Sequence, residues 1–241
     1  MPRNIQSSSV LLFFACVSVF GSFAAVLLAL NPPQTQGNIL WRKPLVGSLF
    51  ASVCILGIIA IFLPGRCSEI SHSQEKEKEK DFELKPSDSQ STSIRFRGHH
   101  ADCGGFSSHL IRFDERVLCA ACTGLFLGSI ASIIGAVAYF FGGWGFAIAD
   151  SLAILAGQVG ISVGFAQFKF EGYARLLVNA LFVLSAFVTI VGADELAKSL
   201  LIDLYLIAII VFWIWTRILI SQWDHARICS ACKLSCRLKE K

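Results

Sequence analysis

Six long runs of almost uninterrupted apolar residues are separated by short polar breaks. They lie near Val10 to Leu30, Pro44 to Leu63, Cys119 to Phe141, Phe146 to Phe165, Ala174 to Val191 and Leu200 to Ile220. A hydrocarbon layer of about 30 Å takes roughly 20 helical residues to cross, and each run is near that length. The breaks carry turn chemistry: Asn31-Pro32-Pro33, Pro64-Gly65, Gly142-Gly143, Glu171-Gly172 and Ala193-Asp194-Glu195. The runs lack the in-out alternation that lipid-facing strands require, so helices are expected rather than a barrel. The pattern predicts an all-α, polytopic integral membrane protein with about six transmembrane helices and the lipid bilayer as its main partner.

Composition agrees, because 54% of the 241 residues are hydrophobic and only 16% charged, more apolar surface than one soluble core can hide. Met1-Pro-Arg3 could open a signal peptide. The run that follows is longer than a signal core and has no clear small-x-small cleavage site before Asn31, so an uncleaved anchor is expected. With the N-terminus inside, all but three of the 21 Lys and Arg fall on the inner side, the exceptions being Arg42, Lys43 and Lys198. The positive-inside bias places both termini, the long loop and every Cys-x-x-Cys in the cytoplasm of a multi-pass cell-membrane protein. Thiols there are kept reduced, which favours metal ligands or transient redox groups over structural disulfides.

The loop after the second span divides the chain. Residues 1–66 form an N-terminal two-helix hairpin. Residues 67–93, centred on Gln74-Glu-Lys-Glu-Lys-Glu-Lys80-Asp81, mix charges densely and read as a solvated linker. Residues 94–241 form a four-helix unit with a Cys/His-rich loop and a Cys-rich tail. No repeat at the residue level points to an inverted-repeat transporter.

The chemistry gathers beside the third span. His99, His100, Cys103 and His109 precede Cys119-Ala-Ala-Cys122, and Cys229-Ser-Ala-Cys232 follows the last span. Two sulfurs at this spacing point the same way from one turn, and a second pair completes a tetrahedron. Cys229 and Cys232 are the obvious second pair, and Cys236 is a spare. Alternatively, Cys119 and Cys122 close with His99, His100, Cys103 or His109 in the loop alone. Zinc is the default ion for such donors, while iron or an iron-sulfur cluster would use the same ligands.

Other polar positions have simpler readings. Cys16 and Cys54 are small hydrophobes inside spans. His225 reads as an interfacial residue, with a ligand role as the alternative, and Trp213, Trp215 and Trp223 as an aromatic belt. Asp150 and Asp203 read as helix-end groups reaching the headgroups, or else as an ion entrance. Gln158 needs a hydrogen-bond partner near mid-bilayer. Gly124-x-x-x-Gly128 and Gly160-x-x-x-Gly164 would let helices approach closely.

Leu118-Cys-Ala-Ala-Cys-Thr-Gly-Leu-Phe-Leu-Gly128 resembles the hallmark of a poorly characterised family of small prokaryotic membrane proteins, a domain-of-unknown-function family reading Leu-Cys-Ala-Arg-Cys-Thr-Gly-Ile-Tyr-Leu-Gly. Here Ala121 replaces the Arg, and His99-His100 stands at the family's upstream Cys-His pair. The resemblance covers about thirty residues. It implies a multi-span protein with a Cys/His site and brings no established activity.

Three functions compete: a cytoplasmic-face metal clasp tying helix ends together, a membrane thiol oxidoreductase using Cys119 and Cys122, and an ion or metal transporter with a metal-sensing site. Whether the protein is an enzyme is left open. The sequence has no evident Ser-His-Asp arrangement or phosphate-binding glycine loop, and its formal charge of +4 suits inner-leaflet lipid better than nucleic acid.

Overall fold

The computed structural model describes residues 3–31, 41–62, 96–97, 100–101, 106–113, 116–145 and 150–231. Six helices carry the fold: α1 (Arg3–Leu30), α2 (Arg42–Phe62), α3 (Ala120–Ala136), α4 (Asp150–Phe165), α5 (Gly172–Ala197) and α6 (Leu200–Ala231). Each contains a stretch long and apolar enough to cross a membrane, so the chain is an all-α polytopic membrane protein. Two small antiparallel pairs precede α3. The first joins β1 (Phe96–Arg97) to β2 (His100–Ala101), and the second joins β3 (Leu110–Phe113) to β4 (Arg116–Cys119). The charged linker lies outside the described residues.

Helix α5 is the hub, packed closely against α3 and α4. In lipid no water is expelled when helices meet, so close backbone approach and polar contacts hold them together. Gly124 and Gly128 of α3 supply that approach. A Cβ on Gly124 would run into the Leu176 carbonyl, and one on Gly128 would sit 2.7 Å from the Ala180 oxygen. Gly160 and Gly164 of α4 press on Ser185 and Phe182 of α5 in the same manner. Gln158 reaches Thr189 Oγ1 at 3.4 Å, the partner a mid-span amide needs. Helix α1 lies along α6 and α4, while α2 lies along α3. The core between them includes Val46, Phe50, Tyr139, Phe182, Phe187, Ile190 and Trp213.

Several sequence expectations shift at the helix ends. The break expected at Ala193-Asp194-Glu195 is the last turn of α5, which runs on to Ala197. Helix continuation there is explained by partners for both acids. Asp194 Oδ1 accepts from Arg42 Nη1 at 2.5 Å, and Glu195 Oε1 accepts from Lys43 Nζ at 2.9 Å. Arg42 and Lys43 belong to the first turn of α2 rather than to a loop. Asp203 does not reach headgroups: it is fully buried and accepts from the same Arg42 Nη1 at 2.6 Å. The side chain of Asp150 lies outside the described ones. Trp213 is no belt residue, because it is buried with its indole N–H donating to the Ser18 carbonyl at 3.2 Å. Helix α3 ends in a π-helical turn, Val137–Phe141, on which Tyr139 and Phe140 are both buried.

Candidate functional site

Cys119 closes β4 and caps α3. Its extended backbone (φ −74°, ψ 120°) turns the chain from strand into helix, and its carbonyl accepts from Thr123 Oγ1 at 2.9 Å. Cys122 follows within the first turn, so both thiols stand at the positive end of a long helix, where an anionic sulfur is favoured. Cys119 is buried and Cys122 half-buried.

The β3-β4 pairing brings in the histidine. Leu110 lies opposite Cys119, which puts His109 at the edge of the same hairpin, with 3% of its surface exposed. A hydrogen bond from the Tyr173 hydroxyl to the Arg112 carbonyl, 2.7 Å, ties the hairpin to the start of α5. The far end of α6 completes the site. His225 packs against His109 with ring centroids 5.3 Å apart, and Phe106 stands edge-on to both at 5.4 Å. His225 is therefore part of the cluster rather than a solitary interfacial residue.

Beneath these rings runs a buried polar chain. Asp224 lies 3.6 Å from His109 Nε2, accepts from Arg175 Nη2 at 3.2 Å, and accepts from the more exposed Arg227 at 3.0 Å. Asn179, one turn beyond Arg175, donates to the Arg175 carbonyl at 2.6 Å and accepts from Arg217. Arg217 also donates to Gln167 Oε1 at 3.0 Å, and its charge interacts with Cys122, Cys119 and Arg175. Arg175 and Arg217 are both buried, against one buried carboxylate, Asp224, in this chain of contacts. Isolated buried charge is costly, so the positive excess favours negative charge on the neighbouring sulfurs.

The structure thus brings together Cys119, Cys122 and His109 of the expected ligand set and adds His225. Among the described residues no three Cys, His, Asp or Glu side chains are close enough to hold a metal ion. His99, Cys103 and Cys232 lie outside the described residues, and His100 and Cys229 are described by their backbone alone, in β2 and in α6 one turn beyond His225. The donor chemistry fits zinc, since two thiolates on one turn and a nearby imidazole are its preferred ligands, with the remaining positions to be filled from those segments.

Sequence reasoning passed over Arg175, Arg217, Asp224, Asn179 and Gln167. One signal was present: Arg217 falls inside the last apolar run, and an arginine there must find partners within the protein. No protein-family model, curated protein or solved structure matches the chain.

Proposed function

We propose that this membrane protein carries a Cys/His metal site, with zinc as the ion, that clasps the start of α3 to the end of α6 on one membrane face. The observation that carries the reading is the meeting of Cys119, Cys122 and His109 with residues of α6, namely His225, Asp224 and Arg217. Cys229 follows one helical turn after His225, about 6 Å along the axis. Cys229 and Cys232 are the candidates to complete the tetrahedron, with His99, His100 and Cys103 as the loop alternative. Arg217 and Arg175 would offset the negative charge that several thiolates bring to one ion. By the positive-inside bias this face is cytoplasmic, as are both termini of a protein in the cell membrane.

Elemental analysis of the detergent-purified full chain tests the clasp, beside Cys119→Ser, Cys229→Ser and His109→Ala. Stoichiometric zinc that falls away in the variants, together with lower thermal stability, is the expected result. A reporter fused after Lys241 checks the sidedness.

A second reading is supported by the Arg217 charge beside both sulfurs. A dithiol at a helix start next to a guanidinium would be a reactive reductant, passing two electrons to a partner disulfide as Cys119 and Cys122 join. Metal-free protein with a fast-alkylating thiol would favour it over the clasp.

A further inference from the structure

At the opposite end of α3, roughly 30 Å from Cys119 by helical rise, lies a second ionisable cluster. Tyr139, on the π-helical turn, places its hydroxyl 2.6 Å from Asp194 Oδ2 and 2.6 Å from Glu195 Oε1. Lys43 Nζ approaches the same hydroxyl at 3.2 Å, pairs with Glu195 at 2.9 Å and stands 3.7 Å from Asp194. Arg42 Nη1 donates to both Asp194 and Asp203. Arg42, Asp194 and Asp203 are essentially without exposure, whereas Lys43 and Glu195 are about one-third exposed.

Proton counting decides what this arrangement holds. A phenol carries one proton, so it can donate to only one of two carboxylates. Both oxygen-oxygen distances are those of strong hydrogen bonds, so the second contact needs a proton of its own. Charge counting agrees. Three carboxyl groups meet two cations, Arg42 and Lys43, and the cluster is neutral only with one carboxyl protonated. The buried groups also have capacity to spare. Asp203 Oδ1 and the Nε and Nη2 atoms of Arg42 have no hydrogen-bond partner among the described residues.

We propose that Asp194, Tyr139 and Glu195 form a proton-binding site with a built-in exit. The resident proton sits on Asp194 Oδ2 and is donated to the Tyr139 oxygen, while the Tyr139 hydroxyl is donated to Glu195. Arg42 then balances Asp203, and Lys43 balances Glu195. Release follows by a paired shift: the Asp194 proton passes to the Tyr139 oxygen as the Tyr139 proton passes to Glu195, which gives it to water. Asp194 is left as the carboxylate beside Arg42. The other charged group facing this relay is Lys198, just past α5, which is exposed and acts on Glu195. The same proton links α2, α3, α5 and α6, so its loss alters how these four helices are held.

Infrared spectroscopy of the full-length protein in lipid vesicles tests the site. Difference spectra between neutral and strongly alkaline pH should show one carboxylic-acid carbonyl band, shifted down in D2O, at neutral pH. Asp194→Asn, which keeps the shape of the neutral acid, should fold and lose the band. Tyr139→Phe should keep the band but move its frequency, since the acid loses its acceptor. The wild-type spectrum alone can overturn the proposal, because absence of an acid band at neutral pH means that no proton is resident. A band that survives in Asp194→Asn also overturns it.

Discussion

Arg175 of α5 and Asp224 of α6 form a buried ion pair, with Nη2 3.2 Å from Oδ2 and each side chain 2% exposed. Removing one partner strands a charge in a low-dielectric interior. Asp224→Ala should therefore cost about 3–5 kcal/mol, read as reduced thermal stability in detergent. Arg175→Met together with Asp224→Leu, which leaves neither charge behind, should recover much of that loss.

Helix α3 depends on Gly124 for its approach to α5. Gly124→Ala forces a methyl against the Leu176 carbonyl, and overpacking of this kind typically costs about 1–3 kcal/mol. Gly57 provides the contrast, because nothing lies within 4 Å of its added Cβ. Gly57→Ala should be neutral or stabilising by up to about 1 kcal/mol, since alanine has the better helix propensity. Paired thermal melts of the two variants check this.

Lys198 ends α5 in the left-handed conformation, φ 47°, with its N–H donating to the Asp194 carbonyl at 3.1 Å. Glycine adopts that geometry without the Cβ penalty. Lys198→Gly should raise stability by about 0.5–1 kcal/mol. A lower melting temperature would mean that the charge it places near Glu195 outweighs backbone relief.

Arg217 acts electrostatically on both sulfurs of the Cys119 pair. After chelation of any bound metal, Arg217→Met should slow thiol alkylation by about three- to tenfold, as the thiolate loses its nearest cation. Arg227→Met, which removes a more exposed arginine paired with Asp224, should leave that rate nearly unchanged. Timed alkylation followed by peptide mapping distinguishes Cys119 and Cys122 from the other cysteines.

Much of the fold was legible because bilayer thickness imposes a length and the breaks carry recognisable turn residues. The exceptions were segments whose polar groups found partners far along the chain. Ala193-Asp194-Glu195 reads as a loop until Arg42 and Lys43, about 150 residues earlier, take up its carboxylates. Trp213 reads as a belt residue until the Ser18 carbonyl accepts its N–H. At the site, Cys119, Cys122 and His109 stood out by residue type and density. Asp224, Arg175 and Asn179 did not, because an ordinary acid, base or amide near a membrane surface gains meaning only from what faces it.

The sequence by itself determined the number of spans, the helical class and the pairing of thiols at a loop-helix boundary, all of which follow from local periodicity and spacing. Tertiary structure decided which charges are neutralised inside the bundle. It set Asp224 between His109 and Arg175, and placed the Tyr139 hydroxyl between two carboxyls. The physical reason is that a charged or proton-sharing group in a low-dielectric interior is defined by partners within a few ångströms. Those partners come from four different helices, brought together only when small residues let the helices close.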